Sequence, residues 1–302
     1  AADGYARVSG KPAIVNVTSG PGAINALNGV FGAFVDSVPM FVISGQVKTE
    51  TVRVLNQETL RQLGDQEADT LAIAQSAVKY FAMPATKTEA LTAIKKAIFF
   101  LRSGRPGPVW LDIPINLQGT PLTAEDVKNS LKDVDAPIQN EFIHPNTVDN
   151  LPITANLDDD IKSVIKLIKA SKRPVFFAGN GISLSGQKEN FLKVLSKMSI
   201  PGVTGWNAHD LLPNSHECYA GKPGTIGDRV GNFVIRNSDL VLVLGCRLNI
   251  RQISYNWKSF APNAKIIMVD IDKYELEKHT LNINVKLHYD LNKFMKEFQK
   301  RA

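Results

Sequence analysis

The chain has 302 residues, enough for two domains that each bury a core, and its 44% hydrophobic and 21% charged residues are typical of globular proteins. No apolar run reaches the ~18 residues of a membrane span, which argues against a membrane segment. The net charge is +6, but basic residues alternate with acids and no basic run is interleaved with aromatics, so we predict no nucleic-acid partner.

The first element in chain order reads as the end of a helix. The chain opens on Ala1–Tyr5 (AADGY), without a methionine. We therefore expect the chain to be cut at its front.

The first part of the chain alternates short apolar runs with helical periodicity. The predicted strands are Ala13–Val17, Pro39–Ile43, Val78–Met83 and Pro108–Ile113. The predicted helices between them are Gly22–Asp36, Ala68–Ser76 and Thr88–Leu101. Apolar strands that alternate with amphipathic helices indicate a doubly wound parallel sheet with helices on both faces. We predict this first α/β domain over residues 1–118.

The alternation stops between residues 119 and 158 and then resumes. Four prolines punctuate this polar, acidic stretch, which we predict to be a surface linker: Pro121, Pro137, Pro145 and Pro152. Residues 159–302 are predicted to form a second, Rossmann-like parallel-sheet unit. Its strands are Pro174–Ala178, Leu240–Leu244 and Lys265–Val269, and its helices are Asp160–Ala170, Lys188–Lys197, Asp228–Asn237 and Leu291–Phe298.

Cysteine usage bears on the compartment. Cys218 and Cys246 fit no metal or redox spacing. A chain of this length with only two cysteines is typical of a reducing environment. We therefore predict a cytoplasmic protein.

A glycine-rich turn follows the first predicted strand. Thr18–Gly22 (TSGPG) opens a helix at the carboxyl edge of the sheet, where open α/β sheets bind ligands. Gly20 and Gly22 permit close backbone approach, the first helix amides offer donors, and Asn25 lies one turn further on. A tight turn without a ligand fits the same residues equally well.

A set of motifs in fixed order resembles one enzyme family. AADGYARVSGKP, VTSGPGAIN, DSVPMFVISGQV, NQET and SGRPGPVWLDIP are similar to segments of acetolactate synthase and related thiamin-diphosphate enzymes. The second half resembles them more loosely, in RPVFFAGNGI, GKPGTIG, NSDLVLVLGCRL and AKIIMVDIDKYELEK. The resemblance implies decarboxylation of a 2-keto acid such as pyruvate and transfer of the two-carbon unit to a second keto acid, with thiamin diphosphate as cofactor. It also implies a homodimer or homotetramer.

The resemblance implies roles for four residues of the first domain. Pro21, Gly22 and Asn25 match positions that line the aminopyrimidine ring of thiamin diphosphate, and Gln57 matches a glutamine near the substrate channel. The family's catalytic glutamate is expected upstream of Ala1, so no catalytic residue is assigned within the chain. The family's Mg²⁺ and diphosphate site is expected in a third, C-terminal domain, so no metal ligand is assigned either.

The resemblance also implies a flavin or nucleotide site, because the family's middle domain holds FAD. The matching positions are two arginines, four glycines after strands and two acids: Arg105, Arg247, Gly179, Gly181, Gly221, Gly224, Asp270 and Asp272. Glycine-rich turns suit a pyrophosphate, because backbone amides can approach it closely. An acid at the end of a Rossmann-like strand suits a ribose hydroxyl.

Three departures from the family pattern keep other functions open. Leu248–Arg251 (LNIR) replaces the Phe-Asp-Asp-Arg of flavin-binding synthases, Ile115 replaces a lysine, and Asn56 replaces an aromatic residue. One alternative is therefore a related 2-keto acid or oxalyl-type decarboxylase. The other is a non-catalytic nucleotide-binding or interaction module, since the glutamate and the metal site are expected outside the chain.

Overall fold

The computed structural model describes residues 1–130, 137–148 and 156–302. The chain divides into two compact units, Ala1–Asp149 and Asn150–Ala302. Each unit has its own five-stranded sheet and its own apolar core.

The first sheet is parallel except at one edge. Its strands, in the order β1-β2-β4-β3-β5, are β1 (Ala13–Val17), β2 (Met40–Gln46), β3 (Tyr80–Ala82), β4 (Val109–Pro114) and β5 (Glu141–Ile143). Only β5 runs antiparallel, against β3. The helices are α1 (Ala2–Ser9), α2 (Pro21–Asp36), α3 (Thr70–Ala74), α4 (Lys87–Arg102), α5 (Ile115–Gln118), α6 (Ala124–Ser130) and α7 (Pro145–Val148), with 3₁₀ turns at Thr49–Thr51 and Gln75–Ala77.

Helices cover both faces of this sheet. Along α4, Ala93, Ala97 and Leu101 recur every four residues and pack against Val109 and Leu111 of β4. Side chains alternate along a strand, so the intervening residue of β4 points to the other face. The cluster on that face joins residues of α1, α2, β2 and β4: Ala6, Ala23, Val30, Ala33, Val42 and Trp110.

The second sheet is parallel throughout. Its strands, in the order β10-β9-β8-β6-β7, are β6 (Pro174–Ala178), β7 (Gly202–Thr204), β8 (Leu240–Leu244), β9 (Lys265–Asp270) and β10 (Val285–His288). The helices are α8 (Leu157–Ala170), α9 (Gly181–Leu184), α10 (Lys188–Met198), α11 (Arg229–Asn237), α12 (Ile250–Ile253), α13 (Lys273–Glu277) and α14 (Leu291–Arg301), with 3₁₀ turns at Trp206–Ala208 and Trp257–Ser259. All five residues of β8 are buried, as expected for a central parallel strand.

The order of the second sheet contains a point at which the connections change direction. Strand β6 lies beside β8, but the chain leaves β6 toward β7 on one side and leaves β8 toward β9 on the other. Connections that diverge in this way open a crevice outside the carboxyl ends of the two strands. The turns after these strands, Gly179–Gly181 and Gly245–Arg247, therefore lie where open α/β sheets bind ligands.

The predicted fold class, two doubly wound parallel-sheet units, is confirmed. The predicted linker differs from the structure, because α6, β5 and α7 occupy its described part and β5 joins the first sheet. The first unit accordingly extends to residue 149 rather than 118. Elements of three to seven residues show too little periodicity for recognition. Pro152, the last of the linker prolines, lies outside the described residues.

Candidate functional site

The Thr18–Gly22 turn connects β1 directly to α2. Gly20 has φ 53° and ψ −110°, a conformation that only glycine adopts readily, and it is the N-cap of α2 without a side-chain cap. The helix closes its first turn with a hydrogen bond from the Ile24 amide to the Gly20 carbonyl, at 3.0 Å. The turn therefore presents bare backbone at the positive end of a 16-residue helix.

The three residues predicted to line the aminopyrimidine ring lie together at the start of α2. Pro21 and Asn25 are exposed and Gly22 is half-buried. A Cβ at Gly22 would lie 2.7 Å from Cγ2 of Thr18, so a larger residue would disturb the turn. Because the helix start carries no long side chain, a flat ring can approach it closely.

A second loop packs against this turn at a residue that the sequence did not predict. A Cβ added to Gly20 would overlap the carbonyl oxygen of Gln66, which itself has φ 60°. Gln66 is exposed and stands three residues before Asp69, the residue that caps α3 by accepting from the Ala72 amide at 3.1 Å. A loop that leads into a helix at this sheet edge is the signal that would have drawn attention to Gln66.

The predicted substrate residue, Gln57, lies in a different exposed turn and has φ 55°. Its neighbour Asn56 ties that turn together, donating through Nδ2 to the carbonyls of Val52, at 2.7 Å, and Thr49, at 3.0 Å. The sequence thus contains two Gln-Glu pairs, Gln57-Glu58 and the pair that begins at Gln66. The second pair is the one that contacts the Thr18–Gly22 turn.

Glu67 fastens the loop that carries Gln57. Its buried carboxylate accepts backbone amides from Arg53, at 2.5 Å, Leu63, at 3.0 Å, and Gly64, at 3.1 Å. A carboxylate that accepts three amides replaces the water that these groups would otherwise bind. Glu67 therefore determines the course of the loop between residues 53 and 64.

A buried polar network lies under the same sheet edge. Asp112 of β4 is 1% exposed, accepts from Ser44 Oγ at 2.6 Å and accepts from Gln46 Nε2 at 2.9 Å. The Trp110 indole Nε1 donates to Ser44 Oγ at 2.8 Å. Burial raises the pKa of Asp112 to about 6, while hydrogen bonds from Ser44, Gln46 and Thr70 act in the opposite direction.

In the second unit, two predicted glycines allow adjacent turns to touch. A Cβ at Gly179 would overlap the carbonyl oxygen of Gly245, and one at Gly181 would lie 2.8 Å from its Cα. The Gly179 amide donates to Leu244 at 2.9 Å and the Gly181 amide donates to Gly245 at 3.0 Å. These glycines are therefore required by backbone packing at the β6–β8 crevice, whatever binds there.

Gly221 and Gly224 belong to a tightly bonded loop before α11. Both have positive φ, 99° and 138°. Asp228, the N-cap of α11, lies against Gly221 and accepts from the amides of Lys222, at 2.8 Å, and Gly231, at 2.6 Å. Local hydrogen bonding thus accounts for the shape of this loop.

The two predicted arginines each contact protein groups. Arg105 donates from Nε to Ser37 Oγ at 2.7 Å and from Nη2 to the Val35 carbonyl at 3.2 Å, and so caps the end of α2. Arg247 lies 3.9 Å from the Glu275 carboxylate. Both guanidinium groups therefore have anionic or carbonyl partners within their own unit.

The two predicted acids are buried at the end of β9. Asp270 Oδ1 accepts from the Asp272 amide at 2.9 Å, and Asp272 caps α13 by accepting from the Tyr274 amide at 3.0 Å. Their arrangement orders the strand-to-helix turn, which is the position where a ribose hydroxyl is bound in related sheets.

Two buried oxygens near the crevice find no hydrogen-bond partner among the described residues. They are Thr204 Oγ1, at the end of β7, and Gln252 Oε1, in α12. A Cβ at Gly205 would lie 3.7 Å from Gln252 Oε1 and 3.2 Å from Cys246 Sγ, so these groups cluster at one edge. Buried polar atoms normally have partners, and the pair therefore fits a polar ligand at this edge.

Neither a metal centre nor a membrane helix is found in the described parts of the chain. No group of three or more His, Cys, Asp or Glu side chains there could hold a metal ion. None of the described helices combines the length and the apolar character that a membrane crossing requires.

Comparison with known proteins agrees with this geometry. Residues 1–73 match the family described as thiamine pyrophosphate enzyme, N-terminal TPP binding domain, and residues 161–298 match thiamine pyrophosphate enzyme, central domain. The probable acetolactate synthase large subunit of Methanococcus aeolicus is 34% identical over 302 residues, which is 100% of this chain and 47% of the relative. The acetolactate synthase large subunit of Lactococcus lactis is 34% identical over 281 residues, 92% of this chain and 44% of the relative. The acetolactate synthase isozyme 1 large subunit of Escherichia coli is 31% identical over 277 residues, 92% of this chain and 44% of the relative.

The chain spans about half the length of the curated relatives that it matches. The Thr18–Gly22 turn, with Pro21, Gly22 and Asn25, lies inside the segment that matches the TPP binding domain. The β6–β8 crevice lies inside the segment that matches the central domain. The chain belongs to the thiamine pyrophosphate enzymes, of which it carries the N-terminal and central domains in a form similar to acetolactate synthase large subunits.

Proposed function

We propose that the chain is part of an enzyme that decarboxylates a 2-keto acid such as pyruvate and transfers the two-carbon unit to a second keto acid. The observation that carries this proposal is the Thr18–Gly22 turn, which opens α2 at a parallel sheet edge within the segment that matches the TPP binding domain. Relatives named acetolactate synthase support the reaction type. Thiamin diphosphate, when bound, supplies the carbanion chemistry.

In this proposal, the residues of the chain bind and orient the cofactor and the substrate. Pro21 and Gly22 leave room for the aminopyrimidine ring, and the Asn25 amide can both donate to and accept from a ring that carries both kinds of group. Gln66, exposed beside Gly20, is proposed as a polar group on the substrate side, together with Gln57. The catalytic glutamate and the Mg²⁺ ligands are proposed to lie outside the described residues.

We also propose that the second unit binds FAD or another adenine nucleotide at the β6–β8 crevice. The glycine turns Gly179–Gly181 and Gly245–Arg247 support this, as do the unpartnered oxygens of Thr204 and Gln252. The replacement at Leu248–Arg251 favours a nucleotide without a flavin ring. A flavin absorbance band in the purified protein separates these two ligands.

A second copy of the chain is the proposed partner, in a homodimer or homotetramer. Helix α2 supports this, because Ile24 and Phe31 are 47% and 54% exposed and Gly29 and Gly32 have no atom within reach of an added Cβ. Small residues allow close helix packing, and exposed large apolar residues favour burial. A cytoplasmic location stays a prediction from the cysteines, both of which are free and buried.

One alternative reaction is favoured by a specific residue. Ile115, 58% exposed at the start of α5 and directly after β4, replaces a lysine of the family pattern and changes the charge beside the sheet edge. This change supports a related 2-keto acid or oxalyl-type decarboxylase. Turnover of an oxalyl donor without turnover of pyruvate, by the whole enzyme that contains this chain, would establish this alternative.

Titration calorimetry of the whole enzyme that contains this chain, with thiamin diphosphate and Mg²⁺, tests the proposed function. We expect saturable heat, and a Kd about tenfold higher in Asn25→Ala, because a lost hydrogen bond is worth about 1.4 kcal/mol. Asn28→Ala is the control, since Asn28 is also exposed and lies three residues further along α2. Heat from FAD or ADP with none from thiamin diphosphate would favour the nucleotide-binding module instead.

A further inference from the structure

Beside the Thr18–Gly22 turn, the consecutive residues Gln66, Glu67 and Ala68 each contact a different part of the first unit. The backbone of Gln66 lies against Gly20. Glu67 accepts the three amides of the loop between residues 53 and 64. The carbonyl of Ala68 accepts from Gln46 Nε2 at 3.2 Å. The Gln66–Ala68 segment therefore joins the turn, the loop and the interior of the sheet.

The contact to the sheet interior depends on one carboxylate. Gln46 Nε2 donates both to Ala68 O and to Asp112 Oδ2, at 2.9 Å, while its Oε1 accepts from the Val47 amide at 2.9 Å. All polar atoms of the Gln46 amide are thus committed in one orientation. Gln46 is 4% exposed and Asp112 is 1% exposed, so water cannot replace either partner easily.

We propose that Asp112 is a positioning residue, which through Gln46 fixes the Gln66–Ala68 segment against the Thr18–Gly22 turn. The proposal rests on the proposed function only for the identity of the ligand at that turn. The positioning itself belongs to the free chain, since every contact in it is between protein groups.

The chemistry of the side chain explains why a carboxylate is required. Asp112 accepts from Ser44 on one oxygen and from Gln46 on the other, so it needs two acceptors. In Asp112→Asn one of these acceptors becomes an NH₂ donor. If that donor faces Gln46, the Gln46 amide must turn over and release both the Ala68 carbonyl and the Val47 amide. The substitution therefore loosens the Gln66–Ala68 segment with almost no change of volume.

Amide hydrogen exchange of the free chain at about pH 8, where both oxygens of Asp112 are acceptors, tests this proposal. The amides of Leu63 and Gly64 are bonded to Glu67 and lie far from Asp112 in sequence, so they report on the segment. We expect both to exchange about tenfold faster in Asp112→Asn, which corresponds to about 1.4 kcal/mol for a released hydrogen bond. The amides of Val42 and Leu111 in the sheet should keep their exchange rates.

Two further variants complete the experiment. Gln46→Leu removes the bridge directly and should reproduce the faster exchange at Leu63 and Gly64, which decides the question if Asp112→Asn does not fold. Asp239→Asn is the matched control, because Asp239 holds a loop of the second unit through the amides of Lys172 and Arg173, at 2.8 and 2.9 Å. It should leave Leu63 and Gly64 unchanged.

The NMR signal of the Trp110 indole N–H shows whether the network has changed. This group donates to the Ser44 hydroxyl, which in turn donates to Asp112. A shifted indole signal with unchanged exchange at Leu63 and Gly64 would overturn the proposal. Equal acceleration throughout the first unit would also overturn it, since that is a loss of stability without positioning. Failure to bind thiamin diphosphate would contradict only the proposed function, because the exchange experiment uses no ligand.

Discussion

At position 20, the backbone conformation and the packing both require glycine. The positive φ disfavours every side chain, and the Gln66 carbonyl occupies the space that a Cβ would need. We expect Gly20→Ala to lower the free energy of unfolding by on the order of 3 kcal/mol, measured by urea denaturation. Gly29→Ala on the same helix is the control, because an added Cβ meets nothing there and alanine favours a helix by up to about 1 kcal/mol. Equal effects of the two substitutions would contradict the packing argument.

Asp112 should make stability depend on pH. Burial raises its pKa to about 6 from 3.8, although hydrogen bonds lower it in part and Asp69 adds a raising effect. The folded state thus holds the proton more tightly than the unfolded chain. The stabilisation that the protonated Asp112 contributes to the folded state is fully present below pH 4 and is lost as the pH rises through 6. At 1.36 kcal/mol per pH unit of pKa shift, this contribution amounts to about 3 kcal/mol.

Urea denaturation between pH 4 and pH 7 measures this dependence. Asp112→Asn should flatten the fall in unfolding free energy over that interval. Asp126→Asn is the control, since hydrogen bonds from Thr123 and then Lys87 lower the pKa of Asp126 to about 2 and its titration lies below the interval. The same slope in the Asp112 variant and in the unchanged chain would show that Asp112 does not titrate there.

The site residues that the sequence predicts at the start of α2 have a local signature. Pro21, Gly22 and Asn25 lie within a few residues of each other, between a strand and a helix, in a motif that resembles the family, and their role stays a prediction. Gln66 and Asp112 were missed because their importance arises from contacts with residues far away along the chain, at Gly20 and Gln46. A single sequence carries no direct record of such contacts.

Among the elements, length and apolar character decided which could be predicted. Strands β1, β6 and β8 were predicted with their observed bounds, and helix α2 differed by one residue at its start. The strands β5, β7 and β10, of three or four residues, were missed, because one or two side chains per face do not form a recognisable alternation. Tertiary contacts rather than local pattern maintain such strands.

Strand β5 illustrates this dependence on side-chain contacts. Lys96 Nζ lies 2.9 Å from both oxygens of Glu141, and Tyr80 Oη donates to Glu141 at 2.8 Å. The Lys96 and Glu141 side chains are only 11% and 15% exposed. We expect Glu141→Gln to lower the free energy of unfolding by about 2 kcal/mol, because a two-oxygen ion pair to a largely buried lysine is lost.

A double-mutant cycle with Lys96→Met checks this estimate, and we expect coupling between the two sites of more than about 1 kcal/mol. The same cycle at Lys162 and Asp158, an ion pair whose side chains are 58% and 50% exposed, provides the comparison. Solvent screens that pair, so its coupling should be too small to measure. Coupling of equal size at the two pairs would mean that burial does not strengthen the β5 contact.

At the scale of the whole molecule, the two units carry different kinds of candidate site. The first offers an open turn supported by a saturated polar network, and the second offers a crevice with two unsaturated oxygens. A saturated network favours rigidity, whereas unsaturated buried groups reduce stability until a ligand satisfies them. Ligand binding should therefore stabilise the second unit more strongly than its apolar contacts alone suggest.

Thr204→Val tests this contrast, because it replaces the unpartnered hydroxyl by a methyl of the same shape. Without ligand, we expect the free energy of unfolding to rise by about 1 kcal/mol, measured by denaturation. With FAD or ADP, calorimetry should show weaker binding than in the unchanged chain. Thr70→Val is the control in the first unit, since the Thr70 hydroxyl donates to the Ala68 carbonyl, at 3.4 Å, and its removal should destabilise the fold. Destabilisation by both substitutions would show that Thr204 already has a partner.

The antiparallel direction of β5 determines where the chain leaves the first sheet. Glu141 pairs with Ala82 and Ile143 pairs with Tyr80, so β5 runs back toward the amino ends of the parallel strands. The His144 amide then donates to the Lys79 carbonyl, just before β3 begins. The polypeptide therefore departs from the side opposite the Thr18–Gly22 turn. Insertions or exchanges of sequence after residue 144 can accumulate there without crowding the Thr18–Gly22 turn, which leaves the two sides of the sheet free to diverge independently.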